Sequence, residues 1–329
     1  MKRREFITIV GGAVAAWPLT ARAQQTQRVR RVGVLFGWSQ SDPRFRAFVT
    51  TFMAELAQRN WKDGVNLRIE ERWTEGNSDR APQLAKELIE LHPDAIFAST
   101  TPVTVALMHE THEIPIVFMS VSDPIGARLV TSLSRPGGNV TGILNIEPTM
   151  GGKWLDLRKE MAPGISRAGL MFNPDTAPGG GKYFMPSFEV SARTSKIEAV
   201  NLPVRSDAEI EAAIGGLRHD GGFVITTDSF LTVHRGTIIS SMLRNQVPAI
   251  MDTDGFVRSG GLMSYGPRYG DMPRFVASYV DRILNGEKPA DLPVQVPTTW
   301  DLVINLKTAK TLGLTVPLIM QMTANEVIE

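Results

Sequence analysis

Arg31-Val32-Gly33-Val34-Leu35-Phe36-Gly37-Trp38-Ser39-Gln40, followed by Arg44 to Asn60 with apolar residues at Phe45, Phe48, Val49, Phe52, Leu56 and Ala57, decides the fold class. The first part is a β-rich apolar run that stops at a glycine, and the second repeats close to every 3.6 residues, so a strand leads into an amphipathic helix. The alternation continues outward. Asn66 to Trp73 alternates like a strand, and Ser78 to Leu91 carries Leu84, Leu88 and Leu91 on one helical face. Asp94 to Ala98 predicts a strand, Thr101 to Glu110 a helix and Ile114 to Met119 a fourth strand. Strands separated by helices in this order require a parallel sheet with right-handed crossovers.

The same grammar then begins again. A helix near Gly152 to Met161 precedes a buried-type strand at Ala168 to Asn173. Helices over Tyr183 to Ser195, Asp207 to Leu217 and Arg235 to Asn245 alternate with strands at Ile197 to Val200, Gly222 to Thr226 and Pro248 to Met251. Two consecutive α/β units of similar length predict an α/β protein of two doubly wound, Rossmann-like lobes. Turn formers concentrate at Ser134 to Gly142 and again at Ser259 to Gly266, which places lobe crossings there. After a helix from Met272 to Leu284, Pro289, Pro293 and Pro297 mark an extended third crossing, and a short helix around Leu306 to Leu312 closes the pattern. Residues 30–141 plus 265–296 are therefore assigned to lobe 1, and residues 142–264 plus 297–329 to lobe 2.

Residues 1–23 read as an export signal of the twin-arginine type: Arg3-Arg4-Glu5-Phe6-Ile7, an apolar run to Trp17, and Ala21-Arg22-Ala23 before Gln24. That apolar run spans about 18 Å as a helix, against ~30 Å of hydrocarbon, so cleavage after Ala23 is expected rather than a retained anchor. The chain contains 35 Lys+Arg and 34 Asp+Glu. Removing the leader takes away Lys2, Arg3, Arg4 and Arg22 against Glu5, leaving a net charge of about −2, with no general grip on nucleic acid or anionic lipid. There is no cysteine, which excludes disulfides and a lipid-modified cysteine. A soluble, exported, periplasmic protein is the expectation.

In an open parallel sheet, ligands bind beyond the carboxyl ends of the strands. That rule selects Trp38, Ser39 and Gln40; Ser99, Thr100 and Thr101; Ser120, Ser122 and Asp123; Asn173 and Asp175; Thr226, Thr227, Asp228 and Ser229; and Asp252, Thr253 and Asp254. Hydroxyls and helix-start amides suit a carboxylate, Asp123 or Asp228 an ammonium, and Trp38 an apolar or cationic part. Structural readings stand beside these. Ser99-Thr100-Thr101-Pro102 fits a helix N-cap, Asp123-Pro124 and Asn173-Pro174-Asp175 fit turns, and Trp38 fits lobe packing.

Catalytic arrangements are sparse. His92, His109, His112, His219 and His234 are scattered, and His109-Thr111-His112 follows a helix with only Glu110 and Glu113 nearby, so no metal site is assigned. Nucleophile elbow, Walker loop and strand-following G-x-G-x-x-G are lacking. Gly179-Gly180-Gly181-Lys182 has neither the leading glycine nor the following hydroxyl of a phosphate loop. Neither an enzyme nor a cofactor is indicated.

The segments Ile114 to Phe118, DPIGARLVTSLSRPGGNVTG from Asp123, GGLMSYG from Gly260, YVDRILNGEKPADLPVQVPT from Tyr279 and LVINLKTAKTLGLTVP from Leu302 resemble the ABC-transporter substrate-binding protein family. Tryptophan- and tyrosine-binding members belong to that group. The resemblance runs from about Arg31 to Glu329. It implies a type I periplasmic-binding fold, a hinge between two lobes, and a monomer that delivers a small ligand to an ABC permease in the inner membrane. An aromatic or branched amino acid is the expected ligand, its carboxylate at Thr100-Thr101 and its ammonium at Asp123 in preference to Asp228. A ligand-sensing subunit for a membrane receptor or regulator is the alternative that shares the same site.

Overall fold

The computed structural model describes residues 28–329, and the expected leader and cleavage point lie outside them. The first lobe is built on β1 (Arg30–Phe36), β2 (Leu67–Trp73), β3 (Ala95–Ser99), β4 (Ile116–Val121) and β5 (Val140–Leu144). These form a parallel sheet in the order β2-β1-β3-β4-β5. Every residue of β3 and β5 is buried, because helices cover both faces of the sheet and its strands need no polar alternation. On one face α1 (Pro43–Gln58) packs with α10 (Met272–Leu284) over Val34, Phe36 and Phe97. On the other, α2 (Ala81–Glu90) and α3 (Thr101–Glu110) cover Leu35, Ile96 and Phe118.

The second lobe contains α4 (Met150–Met161), β6 (Arg167–Phe172), α5 (Met185–Ser195), β7 (Glu198–Pro203), α6 (Asp207–Gly215) and β8 (Gly221–Ile225). The chain continues through α7 (Ser229–Val233), α8 (Arg235–Asn245), β9 (Ala249–Met251), α9 (Asp254–Arg258) and β10 (Met263–Pro267). After α10 it returns as β11 (Trp300–Asn305), α11 (Leu306–Thr311), α12 (Leu318–Thr323) and β12 (Glu326–Ile328). The sheet order is β12-β11-β10-β9-β8-β6-β7, parallel except where β11 runs antiparallel to β10. One core cluster fills this lobe, with Trp154, Phe184, Phe188 and Phe223 fully buried. The Trp154 indole also donates to Tyr265 O at 2.7 Å, which satisfies its buried N–H.

Two changeovers differ in detail from the sequence reading. The division after residue 141 falls inside β5, whose pairing with β4 continues to Leu144, so the chain leaves the first sheet after Leu144. The division between 264 and 265 falls inside β10, which pairs along its length with β11. Both strands carry glycines where another backbone passes close. A Cβ on Gly142 would sit 2.2 Å from Phe118 O, and one on Gly266 1.5 Å from Asp252 O. A glycine required by close approach looks, in sequence, like one required by a turn. The proline-rich segment lies against β5 before it crosses: Gln295 N donates to Gly142 O at 2.9 Å and Leu144 N to Gln295 O at 2.7 Å. Three chain segments thus join the lobes, and α12 and β12 add two elements beyond the last helix read from the sequence.

Candidate functional site

Between the carboxyl ends of the two sheets lies a cavity of about 330 Å³. Trp38, at the end of β1, forms part of its wall and stacks on Phe45 from the first turn of α1, with ring centroids 4.0 Å apart and planes 5° from parallel. Phe48, one turn further along α1, and Met119 of β4 extend this apolar wall. The Arg44 guanidinium stands 5.2 Å from the centre of the Phe45 ring and also lines the cavity.

Two residues of the same wall hold sparsely populated backbone conformations. Thr100, the residue that starts α3, has φ 75°, and Ser120, at an irregularity in β4, has φ 57°. For a β-branched threonine a positive φ is a genuine outlier, of the kind that costs about 1–3 kcal/mol and gathers at binding sites. Both hydroxyls are buried and neither Oγ has a hydrogen-bond partner among the described residues. Thr100 does not cap α3 with its side chain. The start of a helix, two residues with unpaired hydroxyls and a strained backbone therefore meet in one wall of the cavity, an arrangement suited to an anionic oxygen.

The second lobe presents carboxylates whose hydrogen bonds are already made. Asp228 accepts from Asn173 N at 2.7 Å, Thr176 Oγ1 at 2.8 Å and Leu231 N at 2.9 Å. Burial nevertheless pushes its carboxyl up to about 6. Asp252 Oδ2 accepts from Thr227 Oγ1 at 2.9 Å and meets Tyr269 Oη at 2.8 Å. Burial raises this carboxyl as well, against the opposing effect of those two hydroxyls. Tyr269 Oη also lies 2.8 Å from Asn145 Oδ1. A phenol has one proton to give, and Asn145 Nδ2 is buried without a partner among the described residues. An Asn145 amide turned to donate from Nδ2 to Tyr269 Oη leaves the phenol proton for Asp252 and completes the chain. Asn145 and Tyr269 belong to the first and second lobe crossings, so this chain ties the hinge to the cavity.

Of the residues selected from sequence, Trp38, Thr100, Thr101, Ser120, Thr227, Asp228, Ser229, Asp252, Thr253 and Asp254 line the cavity. The others serve neighbouring structure. Ser99 Oγ accepts from Gly37 N at 2.9 Å, and Ser39 Oγ pairs with Ser41 Oγ at 2.9 Å. Gln40 is exposed, with its backbone N–H on the Glu75 carboxylate. Asn173 Oδ1 closes the turn onto Asp175 N and Thr176 N. Ser122 contributes its carbonyl to Tyr183 Oη, which donates at 2.7 Å across the lobes. Asp123, expected at the ligand ammonium, accepts instead from Gly126 N at 2.8 Å and does not line the cavity. Among the lining residues missed are Arg44, Phe45, Phe48, Thr176, Arg258 and Tyr269. Arg44 and Phe45 were within reach of the strand-end rule, had it been extended to the first turn of the following helix. Among the described residues, no group of three or more His, Cys, Asp or Glu could hold a metal ion, and no helix is long and apolar enough to cross a membrane.

Residues 40–328 match the family of ABC transporter substrate binding proteins. The chain belongs to that family. It is a family of solute-binding proteins and not of enzymes. A tyrosine-binding protein of Clostridioides difficile is 28% identical over 267 residues, 80% of this chain and 75% of that protein. An ABC domain from Streptococcus pneumoniae, solved in complex with L-Trp, superposes with a TM-score of 0.83 at 27% identity, covering 91% of this chain and 99% of that one. The ligand-free, open structure of a substrate-binding protein with adhesive properties from Clostridium difficile gives 0.67 at 26% identity, covering 92% and 99%. At nearly equal identity, the chain superposes better on the L-Trp complex than on the open, ligand-free structure. Two parallel-sheet lobes of the type I periplasmic-binding kind account for the fold.

Proposed function

We propose that this solute-binding protein is exported by its twin-arginine leader, works in the periplasm as a monomer, and hands an aromatic or branched amino acid to an ABC permease in the inner membrane. The observation that carries this reading is the division of the cavity. One side is aromatic, formed by Trp38, Phe45 and Phe48, and the remainder sets hydroxyls, carboxylates and the Arg44 and Arg258 side chains beside a few apolar residues such as Met119 and Pro273. Such a site matches a zwitterion with a large apolar side chain. The carboxylate would meet Thr100 Oγ1, Ser120 Oγ and the start of α3. The ammonium would meet Asp252 Oδ1, since both hydroxyls on that residue lie on Oδ2, whereas Asp123 is committed to its own turn and Asp228 accepts on both oxygens. The ligand side chain would lie along Trp38. What relatives bind supports the aromatic class: one is a tyrosine-binding protein and another was solved with L-Trp.

Lobe closure would couple binding to delivery, because contacts to both walls exist only when the lobes meet on the ligand. Native mass spectrometry of ligand retained through purification, followed by calorimetric titration with L-tryptophan, L-tyrosine and L-leucine, tests the assignment. Retention of one such amino acid with micromolar or tighter binding is expected. Retention of a sugar, or of a ligand without a carboxylate, would overturn it.

A further inference from the structure

Arg235, at the start of α8 in the second lobe, places Nη1 2.8 Å from Asp42 Oδ2 in the first. The Asp42 side chain is 5% exposed and that of Arg235 23%, so water screens this pair far less than a surface ion pair. Asp42 is also the N-cap of α1. It accepts from Arg44 N at 3.0 Å, Arg44 Nε at 3.2 Å and Arg44 Nη2 at 2.9 Å. Burial works against a charge on Asp42, but the hydrogen bonds and charge of Arg44, joined by the charge of Arg235, outweigh it and hold the carboxyl below its usual range. One carboxylate therefore grips two arginines, one from each lobe. Arg44 reaches across the seam as well: a Cβ added to Gly255 of α9 would fall 1.4 Å from Arg44 Nη1, so a side chain there would exclude the guanidinium.

Arg235 is further braced by its own lobe, through Ser259 Oγ at 3.2 Å and Thr232 O at 3.0 Å, so it is held ready when the lobes separate. Arg44 remains on Asp42 in either arrangement, because both belong to the first lobe. What closure adds is the Asp42–Arg235 contact. Arg235 does not line the cavity, whereas Arg44 does.

We propose that Asp42 and Arg235 form an ionic latch between the lobes, which sets the population of the closed state, and through it the ligand affinity, without touching the ligand. Asp42 and Arg235 are positioning residues, and Arg44 is the link between latch and cavity wall. The inference rests on the reading that the lobes close about a ligand, but not on what the ligand is.

The chain has no cysteine, so closure can be trapped covalently in the ligand-free protein. A Cβ added to Gly76 of the first lobe lies 3.1 Å from Val233 Cβ of the second, a few tenths of an ångström inside the usual disulfide separation, and the strain of a cysteine at the Gly76 φ of 76° is common to every protein compared. The rate of disulfide formation in the Gly76→Cys, Val233→Cys protein under a fixed oxidant then reports the closed population, even when that state is rare. At 20 mM salt, adding Arg235→Gln should slow trapping about 5- to 10-fold, the effect of a contact worth roughly 1–1.4 kcal/mol. Arg235→Lys, which keeps the charge, should restore most of the rate. Raising salt to 500 mM should slow the protein with an intact latch and leave Arg235→Gln unchanged. Equal trapping rates in all three proteins, with the same response to salt, would overturn the latch. Failure of every amino acid to bind would overturn the ligand assignment and leave this result standing.

Discussion

On the first lobe's wall, Thr100 Oγ1 and Ser120 Oγ are buried without partners among the described residues, whereas on the second lobe's wall Asp228 accepts three hydrogen bonds and Asp252 has two hydroxyls on one oxygen. The lobes are built on the same alternating plan, yet their polar groups stand in different accounts. An unpartnered buried hydroxyl contributes little to the fold and much to a ligand that completes it. A buried carboxylate with donors on both oxygens, as Asp228 has, contributes mainly to the fold, because removing it strands those donors. Composition alone would rank the aspartates as the stronger site residues. The hydrogen bonds rank the hydroxyls first.

The largest effect should come from breaking the second wall. Asp228→Ala orphans Asn173 N, Leu231 N and the Thr176 hydroxyl in a buried setting, and should cost about 3 kcal/mol or more of unfolding free energy in urea. A loss below about 1 kcal/mol would place Asp228 with the ligand rather than the fold.

The next effect is one of pH. The folded protein holds a proton on Asp228 up to about pH 6, whereas the unfolded chain releases it near 3.8, so folding favours the protonated form between those values. This contribution is fully present below about pH 3.8 and is lost as pH rises through 6, on the order of 3 kcal/mol in all. Asp252, raised in the same direction, adds to the fall. Unfolding of the ligand-free protein followed from pH 4 to 7 should show the decline, and Asp228→Asn should flatten it. A wild-type profile that rises over that window would contradict the raised carboxyls.

Sharpening the first wall needs affinity rather than stability. Thr100→Val keeps the branched shape and removes only the unpartnered hydroxyl, so stability should change by no more than about 0.5 kcal/mol. Affinity for the retained ligand should fall roughly tenfold, the loss of one charge-assisted hydrogen bond. Equal affinity would move the anion site away from α3. The smallest effect belongs to Asp123→Ala, which disturbs a turn outside the cavity. Affinity should stay within threefold by titration, and a larger loss would return Asp123 to the ligand.

Much of this was legible in the residues. The strands from β1 through β4 announce themselves as apolar or alternating runs between amphipathic helices, and the strand-end rule found Trp38, Thr100, Thr101, Ser120, Thr227, Asp228, Ser229, Asp252, Thr253 and Asp254. It missed β5 and β10 because Gly142 and Gly266, which allow another backbone to pass close, read as turn glycines. It placed Asp123 at the ligand because a carboxylate after a strand looks the same whether it faces the cleft or folds back onto Gly126 N. Tyr269 was hidden for another reason: it comes from a lobe crossing, where no strand end points to it.

The return of the chain after α10 has a consequence for how the molecule comes into being. The first sheet is not finished until residue 295 lies against β5, and the second not until β11 reaches β10. Residue 143 must wait for residue 295. Neither lobe can mature as its N-terminal half is synthesised, and contacts separated so far along the chain slow folding. A fragment ending after β10 would hold two unfinished halves rather than one complete and one missing. The lobes that later move apart and together must first be born together.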